Sequence, residues 1–468
     1  MLNIPQHLAQ EQALRLTQVE NALELFALGA TVPFIARYRK ERTGNLNETQ
    51  LRELLERFTY LSELQARKTV ILEAISQAGK LTEPLKAKIE ACLQKTELED
   101  FYLPYRPKRR TRASMARGKN LAPLAEFIAS LNKAGSGMQS LDAEAAKYVC
   151  LESGVKTTAE ALQGAADILA EAVSEQAELR AYLRDYLFQE GLFTSRMKAK
   201  YPQGTTKFEM YRDFRVSVKA IAAHNLLALC RGEAEGVLEL ELSFDEAVVL
   251  TYLETQVIHT CVPAVRDFYR EMLKDAFHRL IKPSLITEVR ATRKVEADIE
   301  SIKTFAVNLR ELLLSPPAGM KPTLGVDPGF RTGCKVAVLD QTGKFLAYQT
   351  VFPHQSVQQR AEAAGTMKRL IEQYHIELIA IGNGTAGRET EAFISEVLTQ
   401  VSPAPVKVMV NESGASIYSA SKVAIAEFPE LDVTVRGAIS IGRRLQDPLA
   451  ELIKIDPKSI GVGQYQHD

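Results

Sequence analysis

Between residues 47 and 75 the apolar positions Leu51, Leu54, Leu55, Phe58, Leu61, Val70, Ile71 and Ile75 fall on a helical period, the spacing that lines one face of a helix. Asn47 stands three residues before Gln50, the spacing of a capping box, so a long amphipathic helix is expected to open there. Comparable periodicity predicts helices near 82–98, 121–133, 142–150, 157–190, 208–230 and 243–281, an array without a detectable repeat. Pro283 closes the last of these. Leu285, Val289, Val295, Ile299, Ile302, Phe305, Leu309 and Leu313 then predict one more helix over 284–314. At about 1.5 Å per residue it would reach ~46 Å. It is either a spine leading to another domain or a helix buried within one helical domain.

Ser315-Pro-Pro-Ala-Gly-Met-Lys-Pro322 breaks that pattern as a linker. Beyond it, strands are expected at 322–327, 334–340 and 344–352, a helix at 356–374, a strand at 377–382, a helix at 386–399, a strand at 405–410, and helices near 415–427 and 436–453. Three sequentially paired strands followed by βαβ units form the pattern of an RNase H-like α/β domain. The fold class is therefore mainly α plus α/β, with the final helix packed near the tip of the first strand.

A length of 468 residues calls for about two to four domains. The divisions expected are 1–200, helical with a weak helix-turn-helix signal; 201–320, helical with the long connecting helix; 321–454, RNase H-like; and a remainder at 455–468. The 46% hydrophobic and 25% charged fractions are those of a soluble protein, and no segment is apolar for long enough to span a membrane. The N-terminus lacks a leader pattern, so a cytoplasmic location without a membrane partner is expected. Five scattered cysteines include no Cys-x-x-Cys pair, and the histidines have no ligand spacing, so a metal would have to be held by carboxylates. Cationic and acidic residues balance at 58 each, which confines nucleic-acid binding to local patches.

One such patch is Arg106-Pro-Lys-Arg-Arg-Thr-Arg-Ala-Ser-Met-Ala-Arg-Gly-Lys119, which contains no acid and follows Phe101, Tyr102 and Tyr105. Arg106, Lys108, Arg109, Arg110, Arg112, Arg117 and Lys119 suit phosphate contacts. They also suit a solvated turn that pairs with acidic helices. In the α/β region, Asp327 closes a β-branched strand before Pro328 and Gly329, where it can hold a divalent metal or simply form a turn. Glu412 follows the last strand, at the same sheet end. Asp447 either projects toward Asp327 from the final helix or, with Pro448 behind it, caps a helix. These three acids are the candidate catalytic and metal-binding residues, for Mg²⁺ or Mn²⁺. Ile381-Gly-Asn383-Gly-Thr-Ala-Gly-Arg388 puts an amide where a further acid would help and Arg388 where a phosphate can be met, at a glycine-rich turn into a helix.

Tyr102-Leu-Pro-Tyr-Arg-Pro-Lys-Arg-Arg-Thr-Arg112, Gly325-Val-Asp-Pro-Gly-Phe-Arg-Thr-Gly-Cys334, Ile381-Gly-Asn-Gly-Thr-Ala-Gly-Arg-Glu-Thr-Glu391 and the segment from Arg436 to Asp468 together resemble the bacterial Tex family of transcription accessory proteins over essentially the whole chain. The resemblance implies an α/β domain of the YqgF type, related to RuvC-like resolvases. It carries metal-binding roles onto Asp327, Glu412 and Asp447, while Asn383 departs from the acidic pattern and argues against hydrolysis. Family members continue into helix-hairpin-helix repeats and an RNA-binding OB fold, and residues 455–468 stand where that hairpin region is expected to begin. The expected function is RNA or DNA binding in transcription. The alternatives are a metal-dependent nuclease and a protein scaffold for RNA polymerase or the ribosome. Oligomeric state is not legible.

Overall fold

The computed structural model describes residues 2–108, 110–134 and 140–461. Chain contacts divide it into two units, Met1–Ile221 with Leu229–Arg293, and Ala222–Ala228 with Lys294–Asp468.

In the first unit, the helix Glu48–Gln77 opens on the expected capping box. The Gln50 amide donates to Asn47 Oδ1 at 2.9 Å, and the Asn47 amide donates to Gln50 Oε1 at 3.1 Å. Leu51, Leu54, Leu61, Ile71 and Ile75 are buried in one core cluster with Leu8, Val19 and Leu25 of the helices Ile4–Glu11 and Leu16–Ala27. Val70 departs from the expected face and is 54% exposed. Its neighbour Lys68 is buried instead, with Nζ donating to the Glu90 carbonyl at 2.8 Å.

The expectation of helix alone fails further along. Strands β1 (Leu192–Met197), β2 (Asp213–Ser217) and β3 (Leu238–Ser243) form an antiparallel sheet in the order β2-β1-β3. The physical reason is visible in Leu238-Glu-Leu-Glu-Leu242, whose leucines are buried and glutamates exposed, a period of two. The helix expected over 208–230 is a 3₁₀ turn, β2 and the helix Ala223–Ala234. That expected over 243–281 breaks before Pro263 into Glu246–Val257 and Pro263–Ala276, the latter followed by a π turn. A continuous helix, Lys282–Leu313, then carries residues of both units.

The second unit is built on a five-stranded sheet: β4 (Thr323–Asp327), β5 (Cys334–Leu339), β6 (Phe345–Val351), β7 (Leu378–Gly382) and β8 (Val406–Val410), in the order β6-β5-β4-β7-β8. The first three strands pair antiparallel, while β7 runs parallel to β4 and β8 to β7. This is the mixed sheet of an RNase H-like domain. On one face, Met367, Leu370, Phe393 and Ile394 from the helices Val357–Gln373 and Gly387–Leu398 cover Leu324, Val326, Ile379 and Ile381. On the other face lies the helix Val433–Gln446, whose Ala438 and Ile439 pack on Ala337 and Leu339. Its approach to β4 depends on Gly325, where a Cβ would fall 2.0 Å from the Ala438 carbonyl oxygen. The final helix therefore packs along the first strand as expected, although it ends at Gln446 and a short helix, Pro448–Leu452, follows.

Candidate functional site at the ends of the parallel strands

Because β4, β7 and β8 are parallel, their C-terminal ends open on one edge of the sheet, beside the strand where the connections change direction. Open α/β sheets present ligand sites at that edge. Asp327 closes β4, Asn383 follows β7 and Glu412 follows β8. Asp327 and Glu412 line one cavity of about 260 Å³, together with Ser416, Ser419, Thr434 and Gly437.

Glu412 sits in a slot made by absent side chains. A Cβ at Gly382 would lie 2.2 Å from its Oε2, and one at Gly384 would lie 1.7 Å from its Oε1. Between these glycines Asn383 accepts a hydrogen bond from the Glu412 amide at 3.2 Å. Oε2 is buried without a hydrogen-bond partner, leaving an acceptor open toward a cation or a donor. Asp327 has similarly tight surroundings, since a Cβ at Gly437 would stand 3.1 Å from its Oδ2. Burial, and then the Glu412 charge, push the Asp327 carboxyl from its ordinary 3.8 up to about 6, with Lys335 pulling against them.

Arg444, beside the turn that carries Glu412, is a residue of the site that the sequence did not single out. Its Nη1 donates to the carbonyls of Asn411 and Ser413, each at 2.8 Å, and so clamps the turn that carries Glu412. Nε and Nη2 are buried without hydrogen-bond partners, and burial lowers the guanidinium to about 10 against the opposing charges of Glu451 and Glu412. The signal in sequence was only an arginine on the buried stripe of an amphipathic helix.

The structure does not bring Asp447 to this cavity. Gly437 stands beside Asp327 and Asp447 lies ten residues further on (447 − 437), about 15 Å along a helix. It is exposed, and its Oδ1 accepts from the Ala450 amide at 3.1 Å as the cap of the Pro448–Leu452 helix, with proline in the first position. Among the described residues no group of three or more His, Cys, Asp or Glu side chains could hold a metal. Two carboxylates and the hydroxyls around them fit one hydrated Mg²⁺ or Mn²⁺, which keeps most of its waters. They do not fit a pair of ions, which needs more acids.

The basic residues divide in two. Lys108 pairs with Glu171 at 3.3 Å and with Glu175, Arg117 pairs with Glu171 at 2.7 Å, and Lys119 donates to the Gly154 carbonyl at 2.9 Å. Arg106, Arg110 and Arg112 are exposed. Arg109 lies outside the described residues. Arg388 is exposed in the first turn of the Gly387–Leu398 helix. That helix is preceded by Ala386 at φ 67° and has no side-chain cap, and its first amide, that of Gly387, donates to the Gly384 carbonyl at 3.0 Å.

An RNase H-like sheet with two carboxylates at the C-terminal ends of its parallel strands, preceded by a helix-rich unit, defines the class of protein. Family models match in three places: the Tex-like protein N-terminal domain over residues 2–76, the Tex central region-like domain over 138–305, and the Tex protein YqgF-like domain over 321–446. The chain is 47% identical over 474 residues to the transcriptional accessory protein Tex of Neisseria gonorrhoeae, covering 100% of this chain and 61% of that protein. It is 44% identical over 480 residues to protein tex of Bordetella pertussis, covering 98% and 59%. It is 34% identical over 467 residues to human S1 RNA-binding domain-containing protein 1, covering 96% and 46%. The chain belongs to the Tex family of transcription accessory proteins, and it spans less than two thirds of the length of each of these relatives.

Proposed function

We propose that this chain binds RNA or DNA as part of a Tex-type transcription accessory protein, and that its RNase H-like domain is not an efficient nuclease. The observation that carries the second half is Asn383. At the tip of β7 an amide occupies the place between Asp327 and Glu412, and its oxygen is spent on the Glu412 backbone. Asp327 and Glu412 can hold one hydrated cation against a phosphate, where it would supply Lewis acidity. In-line hydrolysis by paired ions lacks its ligands. The first half is supported by the exposed Arg106, Arg110, Arg112 and Arg388, and by a relative whose name records an RNA-binding domain.

A second reading, a scaffold for RNA polymerase or the ribosome, draws on the ion pairs that Lys108 and Arg117 make within the fold, which leave less of the arm for phosphates. One experiment addresses the nuclease question. The purified chain is incubated with branched DNA and with single-stranded RNA in Mg²⁺ or Mn²⁺, and both substrates are expected to stay intact. Cleavage that Asp327→Asn abolishes would refute the proposal.

A further inference from the structure

The first unit carries a second surface whose chemistry the site above does not use. On the short helix Val32–Tyr38, Phe34 and Tyr38 stand one turn apart, with ring centroids 5.5 Å apart and planes tilted by 47°. Both remain in solvent, 40% and 61% exposed. Tyr182, Phe330 and Tyr348 are exposed too, but they pair with Tyr252, His354 and Phe345, whereas Phe34 and Tyr38 are two exposed aromatics paired with each other. They border an open groove of about 650 Å³ lined by Pro33, Phe34, Arg37, Tyr38, Glu48 and Arg52.

Cations outnumber acids around this pair. Residues 31–52 contain five, Arg37, Arg39, Lys40, Arg42 and Arg52, against the two acids Glu41 and Glu48. Arg42 is engaged with Glu24 at 2.9 Å. Arg37, Lys40 and Arg52 are exposed and make no ion pair among the described residues. The Arg39 guanidinium carbon lies 5.3 Å from the Phe34 ring centroid, and its Nη1 donates to the Tyr38 carbonyl at 3.0 Å, which holds a cation beside the rings.

From this placement we infer that the Phe34–Tyr38 surface is a stacking platform for single-stranded nucleic acid. Bases lie on the two rings, and Arg37, Arg39, Lys40 and Arg52 take the phosphates. Exposed aromatics interleaved with cations are what unpaired strands need, because every base offers a π face and every linkage a negative charge. A duplex keeps its bases stacked inside and can offer this surface only phosphates. The shared chemistry, an unpaired base and its phosphate, belongs to RNA and DNA alike. The inference rests on the nucleic-acid reading above and adds to it a second location, remote in sequence from the basic arm.

The chain has no tryptophan, so Tyr38→Trp in the full chain installs a single indole reporter at the platform. It is titrated with a twelve-nucleotide oligouridylate, the same length of oligothymidylate and a twelve-base-pair duplex, while anisotropy of labelled strands follows binding to the unmodified chain. Both single strands should quench the indole, and the duplex should not. Tyr38→Ala should weaken single-strand binding about 5- to 150-fold, the range for removal of one stacked base, with Tyr38→Phe restoring it. Arg37→Ala, Arg39→Ala and Lys40→Ala together should flatten the log–log salt slope by about 2, near 0.7 for each phosphate no longer neutralised. Single strands that bind the chain with unchanged indole emission and with full affinity for Tyr38→Ala overturn the platform and leave the broader reading standing. Equal quenching by the duplex also overturns it. If none of the three probes binds, both are overturned.

Discussion

Replacing Asp327 by Asn should stabilise the sheet unit at neutral pH. The Asp327 carboxyl is pushed to about 6 in the folded protein from an ordinary 3.8. Between those two values the folded state holds a proton that the unfolded chain has released, so stability falls as pH rises through the window and stays low above it. At about 1.36 kcal/mol per pH unit, a two-unit displacement gives a ceiling near 3 kcal/mol. Asp327 faces a cavity and is only partly buried, so screening by solvent brings the expected gain for the isosteric amide to ~1–2 kcal/mol. Hydrogen exchange of the β4 and β5 amides reads this locally. At pH 7.5 the variant should exchange about 5- to 30-fold more slowly, since 1.4 kcal/mol is about tenfold in an equilibrium constant. Near pH 4, where the native side chain is protonated too, the difference should close. Millimolar Mg²⁺ should shrink it at pH 7.5 by stabilising the native carboxylate. A variant no more protected at pH 7.5, or equally favoured at pH 4, would show that Asp327 is not a strained acid and that the cavity is not built for a cation.

Three further outcomes follow from the same geometry. Arg106→Ala, Arg110→Ala and Arg112→Ala together should flatten the salt slope of binding by about 0.7–0.9 for each phosphate that an arginine had neutralised, equally for all sequences; unchanged slopes would assign the arm to the fold or to a protein partner. Arg444→Ala strips the Asn411 and Ser413 carbonyls of their shared donor and should cost about 1–3 kcal/mol, seen as faster exchange in the turn carrying Glu412, whereas normal protection there would remove its clamping role. Gly384→Ala places a Cβ on the Glu412 carboxylate and should weaken Mn²⁺ binding, measured by paramagnetic broadening at Ser416 and Ser419; undiminished broadening would mean that the cation does not depend on Glu412.

The α/β region was more legible than the helical one, and particular residues show why. Its strands are short apolar runs bounded by Pro, Gly and Asp, and each of β4 to β8 begins and ends within a residue or so of its expected position. In the first unit, amphipathic helices and amphipathic strands compete within the same polar background. Leu238-Glu-Leu-Glu-Leu242 carries a period of two, but it is short and flanked on both sides by helical spacing. That Asp327 and Glu412 share one sheet end could be read from the βαβ pattern, because parallel strands bring their C-terminal ends to one edge even with β7 between β4 and β8. What defines the slot around Glu412 could not, since Gly382 and Gly384 act by what they lack and Arg444 acts through backbone carbonyls distant in sequence. Asp447 could be read as cap or ligand from Asp-Pro, and only the length of helix between it and Gly437 separates the two.

The central claim is that this chain itself binds nucleic acid through its exposed cations. It is tested most directly by titrating the chain into labelled single-stranded RNA across 50 to 200 mM salt. The account predicts weak, non-specific binding, about 10⁻⁴–10⁻⁶ M near physiological salt, with a log–log slope of about −2 or steeper from three or more phosphate contacts. Binding that is absent at every salt concentration, or that does not vary with salt, would contradict it.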